Sequence, residues 1–130
     1  MTTRKRVILC IEDNAANLAL LRAILEARPN IELVSARQGQ LGIDLACKHQ
    51  PALILLDLHL PDLTGQEVLA KLRSSEETRH IPVVVTSADV RPDRIDALLE
   101  QGAGAYLSKP LDINEFCRVV DEQLGLIDKS

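Results

Sequence analysis

Aromatic residues are nearly absent from this chain of 130 residues. It has one Phe, one Tyr and no Trp, whereas 46% of its residues are hydrophobic. A chain of this length is expected to fold as one domain that buries about two-thirds of its unfolded surface. The core is therefore expected to be aliphatic, and the single tyrosine, Tyr106, is a residue to inspect for function.

Cysteine is scarce, and its spacing fits no cross-link or metal site. The three cysteines, Cys10, Cys47 and Cys117, lie far apart, and no CxxC or Cys/His ligand spacing occurs. This pattern indicates neither a disulfide framework nor a zinc site. Each cysteine lies in an apolar stretch, so we expect buried free thiols and a reducing, cytoplasmic setting.

The chain also lacks a long hydrophobic run and an excess of positive charge. The first apolar run, residues 7–11, is too short for a signal peptide, and no run approaches the about 20 residues that span a bilayer. The net charge of −4 gives no electrostatic basis for nucleic acid or an anionic membrane as the main partner. We therefore expect a soluble protein that binds neither.

Five short apolar runs alternate with segments of helical spacing. The runs, rich in Leu and β-branched residues, are 7–11, 31–36, 53–56, 82–86 and 105–107. Continuous apolar runs are typical of parallel strands buried on both faces. Five strand–helix units predict a flavodoxin-like (βα)5 fold of the α/β class, a doubly wound sandwich with a five-stranded parallel sheet in order 2-1-3-4-5 and helices on both faces. We expect this domain over residues 6–126, with a loose lead-in at 1–5 and a tail at 127–130.

Capping residues mark the helix boundaries. The third helix is predicted to begin after Thr64, which forms a capping box with Glu67. The fifth repeats this pattern with Asp112 and Glu115, and the fourth begins near Pro92. The apolar residues expected to face the core from the first, second and fourth helices are Leu18, Leu21, Leu25, Leu41, Leu45, Ile95, Leu98 and Leu99.

Acidic residues follow two neighbouring strands of the predicted sheet. Ligands of an open parallel sheet bind at the carboxyl ends of its strands, where Glu12 and Asp13 follow the first strand and Asp57 follows the third. Carboxylates about 5 Å apart repel by roughly 3 kcal/mol per pair at an effective dielectric near 20, so such a cluster protonates or recruits a cation. Oxygen ligands without His or Cys favour a hard ion, and a partly hydrated Mg²⁺ suits a site with few protein ligands.

Two further polar residues follow the remaining strands at the same edge. Ser87 follows the fourth strand and Lys109 the fifth, and a lysine, a hydroxyl and Mg²⁺ together can hold a phosphoryl group. An acid after a strand can instead cap a helix, and Asp13 or Asn14 could cap the first helix. Asp57 is different, because it ends the most apolar stretch of the chain, where an acid needs a partner.

Four motifs resemble those of the receiver domains of two-component signalling, which occur in response regulators and hybrid histidine kinases. The first two are IEDN at 11–14 and LLDLHLP at 55–61. The others are PVVVTSA at 82–88 and LSKP at 107–110. The resemblance covers residues 6–126, and its motifs stand in order at the predicted strand ends.

The resemblance implies that Asp57 is the phosphoacceptor, a carboxylate nucleophile that takes a phosphoryl group from a phosphohistidine. Glu12 and Asp13 would bind Mg²⁺ together with Asp57 and the backbone carbonyl of His59. Glu12 stands where aspartate is more common, so its longer side chain is expected to act through water.

The same resemblance assigns the groups around the phosphate. The Ser87 hydroxyl would bond the phosphoryl group, Lys109 would pair with it, and the Lys109–Pro110 peptide bond would be cis. His59 and Asp89, each two residues past a site residue, would flank the entry of hydrolytic water. The ordinary interpretation of His59 is an exposed, solvated loop residue.

Tyr106 matches the aromatic switch position, whose side chain turns inward when the hydroxyl residue moves toward the phosphate. The other interpretation is a surface tyrosine with its hydroxyl in water. Phosphorylation would shift a two-state equilibrium, reported by the face of the fourth helix, fifth strand and fifth helix. The implied partners are a sensor histidine kinase or histidine phosphotransfer protein and a downstream output protein or domain, for a monomer or weak dimer.

Other functional classes fit the residues less well. A flavodoxin-type cofactor binder would need a phosphate loop where the acids at 12 and 13 stand, and a dinucleotide binder would need GxGxxG between a strand and a helix. An aspartate-nucleophile phosphatase would have a second acid in place of His59. The remaining alternative is a pseudo-receiver, an interaction module that is not phosphorylated. As a receiver, the chain would be a signalling switch that catalyses its own phosphorylation and dephosphorylation without being a conventional enzyme.

Overall fold

The structure, a computed structural model, describes residues 6–88 and 91–126. Within these residues, five strands and five helices alternate. The strands are β1 (Arg6–Ile11), β2 (Ile31–Ala36), β3 (Leu53–Asp57), β4 (Val83–Ser87) and β5 (Ala105–Ser108). The helices are α1 (Ala15–Glu26), α2 (Gly39–His49), α3 (Gly65–Ser74), α4 (Pro92–Gln101) and α5 (Ile113–Gln123). None of these helices is both long and apolar enough to cross a membrane.

The strands form one parallel sheet in the order β2-β1-β3-β4-β5, so the predicted fold class is confirmed. Ile11 of β1 pairs with Leu56 of β3, and Asp57 pairs with Thr86 of β4. The carboxyl ends of β1, β3 and β4 therefore lie side by side at one edge of the sheet.

The hydrophobic core has two halves, one on each face of the sheet. Side chains alternate along β3, so Ile54 packs in one half and Leu55 in the other. Helices α2, α3 and α4 cover the first half, which contains Leu69. Helices α1 and α5 cover the second half, which contains the single phenylalanine, Phe116. The remaining core residues are largely aliphatic, as the scarcity of aromatic residues predicts.

Side-chain caps begin three of the helices where the sequence predicted them. The reciprocal capping box of Thr64 and Glu67 is present at α3, and the Asp112 carboxylate accepts a backbone N–H bond at α5. Asn14 caps α1, which decides between the two residues expected to do so. Helix α4 ends at Gly102, whose φ of +117° favours glycine.

The buried face of α2 differs from the prediction. Leu41 is 45% exposed, and the helix instead buries Gly39, Gly42 and Ala46. A Cβ on Gly42 would lie 2.4 Å from a side-chain carbon of Ile11, so the backbone of α2 approaches β1 too closely for a larger residue. Small residues therefore form the contact with β1, and the other predicted residue, Leu45, is half-buried against the same half of the core.

The predicted burial of Leu99 on α4 is also wrong. Leu99 is 42% exposed, whereas its neighbour Leu98 is buried. Adjacent helical residues point about 100° apart, and α4 packs on the core with one face only. Only one of the two leucines therefore reaches the core.

The cysteines are only partly buried. All three are free, but only Cys10 is fully buried, and Cys47 and Cys117 are partly exposed. The expectation of three buried thiols is therefore correct for Cys10 alone. Burial in an apolar environment raises the pKa of the Cys10 thiol to about 12, which makes this thiol unreactive at neutral pH.

Candidate functional site

Four polar residues meet at the carboxyl edge of the sheet. Glu12 directly follows β1, and Lys109 directly follows β5. Asp57 and Ser87 are the last residues of β3 and β4, one residue inside the strands rather than after them as predicted. This difference arises because the Asp57 backbone still pairs with β4 although its side chain is polar.

Lys109 joins two of the acids. Its Nζ lies 3.0 Å from Oε1 of Glu12 and 3.4 Å from Oδ1 of Asp57. Both carboxylates are buried, with 2% of Glu12 and 5% of Asp57 exposed. A charge buried this deeply is costly unless it is paired, and one ammonium serves both acids.

The Glu12 carboxyl has a raised pKa. Burial is the main cause, and contact with the Asp57 carboxyl raises the pKa further. Lys109 and the backbone N–H of Asn14, which donates to Oε2 over 3.2 Å, oppose this rise. A second positive charge at this site would stabilise the ionised form of Glu12, since opposite charge favours ionisation.

Asp13 lies apart from this buried pair. Its side chain is exposed, and its backbone carbonyl accepts hydrogen bonds from the Arg37 guanidinium. Neighbouring residues of extended backbone point to opposite sides, so Glu12 turns inward and Asp13 outward. Among the described residues, no group of three or more His, Cys, Asp or Glu side chains is arranged to hold a metal ion. The structure therefore brings Glu12 and Asp57 together, and a part for Asp13 as the third carboxylate stays a prediction.

The backbone after β3 contacts the Asp57 carboxylate. The N–H of His59 donates to Oδ1 of Asp57 over 3.3 Å, while the His59 side chain is exposed. Sequence reasoning assigned only the His59 carbonyl and missed this N–H, because backbone direction in a loop is not visible in the sequence.

Ser87 is fully buried at the end of β4. Its backbone carbonyl accepts hydrogen bonds from the Lys109 N–H over 2.9 Å and from the Tyr106 hydroxyl over 3.2 Å. The ends of β4 and β5 are thus joined beside the lysine. Asp89, predicted to flank the pocket, lies outside the described residues.

Tyr106 is half-buried against the core half covered by α2, α3 and α4. Since its hydroxyl donates to the Ser87 carbonyl, the interpretation of a surface tyrosine with its hydroxyl only in water is wrong. The Lys109–Pro110 peptide bond is cis, as the resemblance implied.

The donor set of this edge fits a hard divalent cation. Glu12 and Asp57 supply carboxylate oxygens from two adjacent strands, and a cation beside them would oppose the rise in the pKa of Glu12. Mg²⁺ is commonly bound through one or two carboxylates and keeps several of its waters. The two buried carboxylates therefore match the kind of ligand that such an ion takes.

Two contacts beside the site were not anticipated from the sequence. Arg37 follows β2 and bonds the Asp13 carbonyl, and Asp62 bonds backbone N–H groups of Gly39 and Gln40. The sequence does hint that α2 needs a cap from elsewhere. Gln38, which precedes α2, is a poor helix cap, and the first turn of α2 has no acid. No local pattern indicates which distant residue supplies the missing cap.

The chain is similar in sequence to receiver domains of response regulators. Residues 8–121 match the family model of the response regulator receiver domain. The chain is 36% identical over 118 residues to the polar-differentiation response regulator DivK of Brucella ovis, covering 91% of this chain and 95% of DivK.

Two solved structures share the fold and some sequence. The receiver domain of the sensor histidine kinase PA1611 from Pseudomonas aeruginosa, with a magnesium ion in its active-site cleft, matches with a TM-score of 0.83 and 27% identity over 93% of this chain and 98% of that one. The phosphorylated cyanobacterial phytochrome response regulator RcpA matches with a TM-score of 0.79 and 30% identity over 97% of each chain.

Proposed function

Because the chain belongs to the receiver-domain family of response regulators, which act in two-component signalling, we propose that Asp57 accepts a phosphoryl group from a phosphohistidine. The observation that carries this proposal is the buried Asp57 carboxylate at the sheet edge, with Oδ1 3.4 Å from the Lys109 ammonium. A buried nucleophile beside a fixed cation is the arrangement that phosphoryl transfer requires.

In the proposed reaction, one carboxylate oxygen of Asp57 attacks phosphorus. The new O–P bond forms as the P–N bond to the donor imidazole breaks, and the imidazole leaves with the electron pair and takes up a proton. The product on the protein is an acyl phosphate. Lys109 is close enough to pair with a phosphoryl oxygen, and the Ser87 hydroxyl would donate a hydrogen bond to the same group.

The proposed Mg²⁺ ligands are Glu12, Asp13, Asp57 and the backbone carbonyl of His59. The bound ion supplies positive charge that offsets the carboxylates and the phosphoryl oxygens. The burial of Glu12 beside Asp57 supports this assignment, because burial and the neighbouring carboxyl both raise the pKa of Glu12 and a nearby cation would oppose that rise. Asp13, whose side chain is exposed, would join this set as a further carboxylate ligand.

We propose that the output is a conformational switch. Tyr106 bonds the backbone of Ser87, so a movement of Ser87 toward a phosphate would also displace the tyrosine. This would change the face formed by α4, β5 and α5, which would then bind a partner.

The proposed partners are a sensor histidine kinase or histidine phosphotransfer protein as donor, and a downstream output protein or domain. We propose a receiver unit over residues 6–126 that acts as a monomer or weak dimer. The three free cysteines support a reducing compartment such as the cytoplasm.

The test is a Mg²⁺ titration followed by a small phosphodonor such as acetyl phosphate. We expect Mg²⁺-dependent incorporation of phosphate by the wild type and none by Asp57→Asn. The label is expected to be released by hydroxylamine, as it is from an acyl phosphate. Asp44→Asn, at an exposed carboxylate of α2, is the matched control and should behave as the wild type.

The contradicting result is no incorporation by the wild type at any Mg²⁺ concentration. That outcome would favour the pseudo-receiver alternative, in which the same fold serves only as an interaction module.

A further inference from the structure

Asp62 links the loop after β3 to the start of α2. Its two carboxylate oxygens accept the backbone N–H groups of Gly39, over 2.7 Å, and of Gln40, over 3.0 Å. These donors belong to the first turn of α2, whose own cap residue, Gln38, makes no side-chain cap bond. Asp62 therefore caps α2 from another part of the chain.

The fit between α2 and this loop is close. A Cβ at Gly39 would lie 2.8 Å from Cγ2 of Val68 and 3.1 Å from Cβ of Leu63. Gly39 is buried as a result, and the first turn of α2 lies against the loop and α3. The two N–H bonds also lower the pKa of the Asp62 carboxyl, so the cap is ionised at neutral pH.

The other end of the same loop holds the phosphoacceptor. The His59 N–H donates to Oδ1 of Asp57 over 3.3 Å. The loop is closed by the Gly65 N–H, which donates to the Leu58 carbonyl over 2.9 Å, and by a bridge between His59 and Thr64. The Asp62 carboxylate bonds this closed loop to the first turn of α2.

We propose that Asp62 is a positioning residue for phosphoryl transfer to Asp57. It fixes the loop on α2 and thereby holds the backbone of His59 in register with the Asp57 carboxylate. Without this attachment the loop has more conformations available, and only a fraction of them align His59 with the reacting group. This inference depends on the proposed phosphoacceptor function.

The test compares Asp62→Ala and Asp62→Asn with a stability control, Ile8→Val. Ile8 is fully buried in β1 at the opposite end of the sheet, and the substitution removes one methylene without touching the loop. The initial rate of phosphate incorporation from acetyl phosphate is measured with saturating Mg²⁺. Amide hydrogen exchange is measured at Gly39, Gln40 and His59, and thermal midpoints are recorded for all variants.

We expect Asp62→Ala to incorporate phosphate about fivefold more slowly, as if the aligned loop were populated about a fifth of the time. Asp62→Asn keeps one acceptor oxygen and should lie between Asp62→Ala and the wild type. Exchange at His59 should accelerate together with exchange at Gly39, whereas Ile8→Val should lower the midpoint and leave the rate unchanged.

Equal rates for Asp62→Ala and an active wild type would overturn this inference alone. A rate loss in Ile8→Val as large as that in Asp62→Ala would also overturn it, because the effect would then follow global stability. No incorporation by the wild type would instead overturn the proposed function on which the inference depends.

Discussion

Lys109 is the residue on which the charge balance of the site depends. Its ammonium lies between two buried carboxylates and opposes the rise in the pKa of Glu12. We predict that Lys109→Met lowers the rate of phosphate incorporation about 100-fold, because a charged group directed at the transferring phosphoryl is lost. The initial rate of phosphate incorporation from acetyl phosphate, measured with saturating Mg²⁺, checks this prediction.

The control for this prediction is Lys71→Met, which removes the same charge from an exposed position on α3. It should incorporate phosphate at the wild-type rate. If Lys109→Met also retained that rate, the lysine would have no part in the reaction, and its contacts with Glu12 and Asp57 would be purely structural.

At the scale of residues, the sequence predicts which side chains reach the site but not all their directions. Glu12, Asp57 and Lys109 could be found because the strand order brings the ends of their strands together. Glu12 turns inward and Asp13 outward because side chains alternate along extended backbone, but two adjacent acids do not show in the sequence which of them faces the site.

At the scale of elements, α3 begins at a complete capping box directly after the loop of the phosphoacceptor. The Thr64 hydroxyl accepts the Glu67 N–H, and the Glu67 carboxylate accepts the Thr64 N–H. We predict that Thr64→Ala lowers the free energy of unfolding by about 1 kcal/mol, the usual cost of losing a side-chain cap. Denaturant unfolding measures this change.

Thr64→Ser keeps the hydroxyl and should recover most of the loss. An alanine variant as stable as the wild type would mean that water or a neighbouring group replaces the cap without cost.

The helices also show where prediction from local pattern ends. Thr64, Asp112 and Asn14 were predictable because a cap bonds N–H groups two or three residues away in the chain. The cap of α2 comes from Asp62, which lies more than twenty residues along the chain from Gly39. The fully buried residues of α2 are small, and their size lets the helix backbone pack close to the sheet. Both features depend on tertiary contacts that hydrophobic spacing does not encode.

At the scale of the whole molecule, two exposed acids contribute stability that depends on pH. Backbone N–H bonds lower the pKa of Asp62 below its ordinary 3.8 and that of Glu67 below its ordinary 4.5. At pH values near these ordinary pKa values, the folded state therefore binds fewer protons than the unfolded state. Their contribution is complete above the ordinary values and is lost as pH falls through the folded-state pKa values.

We predict that the double variant Asp62→Asn, Glu67→Gln is less stable than the wild type near neutral pH. It should lose less stability than the wild type on acidification from about pH 5 to pH 3, because the amides do not titrate. Denaturant unfolding at a series of pH values checks both statements. Parallel stability curves for the two proteins over this range would contradict them.

The overall architecture was the most predictable level of structure. Five apolar runs and five helical segments with clear starts determine the alternation, and right-handed crossovers restrict the possible strand orders. The two core halves follow from the alternation of side chains along β3 and β4, which are buried on both faces. The reversal of strand order between β1 and β3 then places the site at the carboxyl ends of these strands.

Locating the modified residue shows whether Asp57 carries the phosphoryl group. The wild-type protein is treated with acetyl phosphate and Mg²⁺, digested, and the phosphorylated peptide is identified by tandem mass spectrometry. We predict a single phosphoryl group on the peptide that contains β3, assigned to Asp57 and absent when the metal is chelated. A phosphoryl group on another residue, or one that persists in Asp57→Asn, would contradict the account.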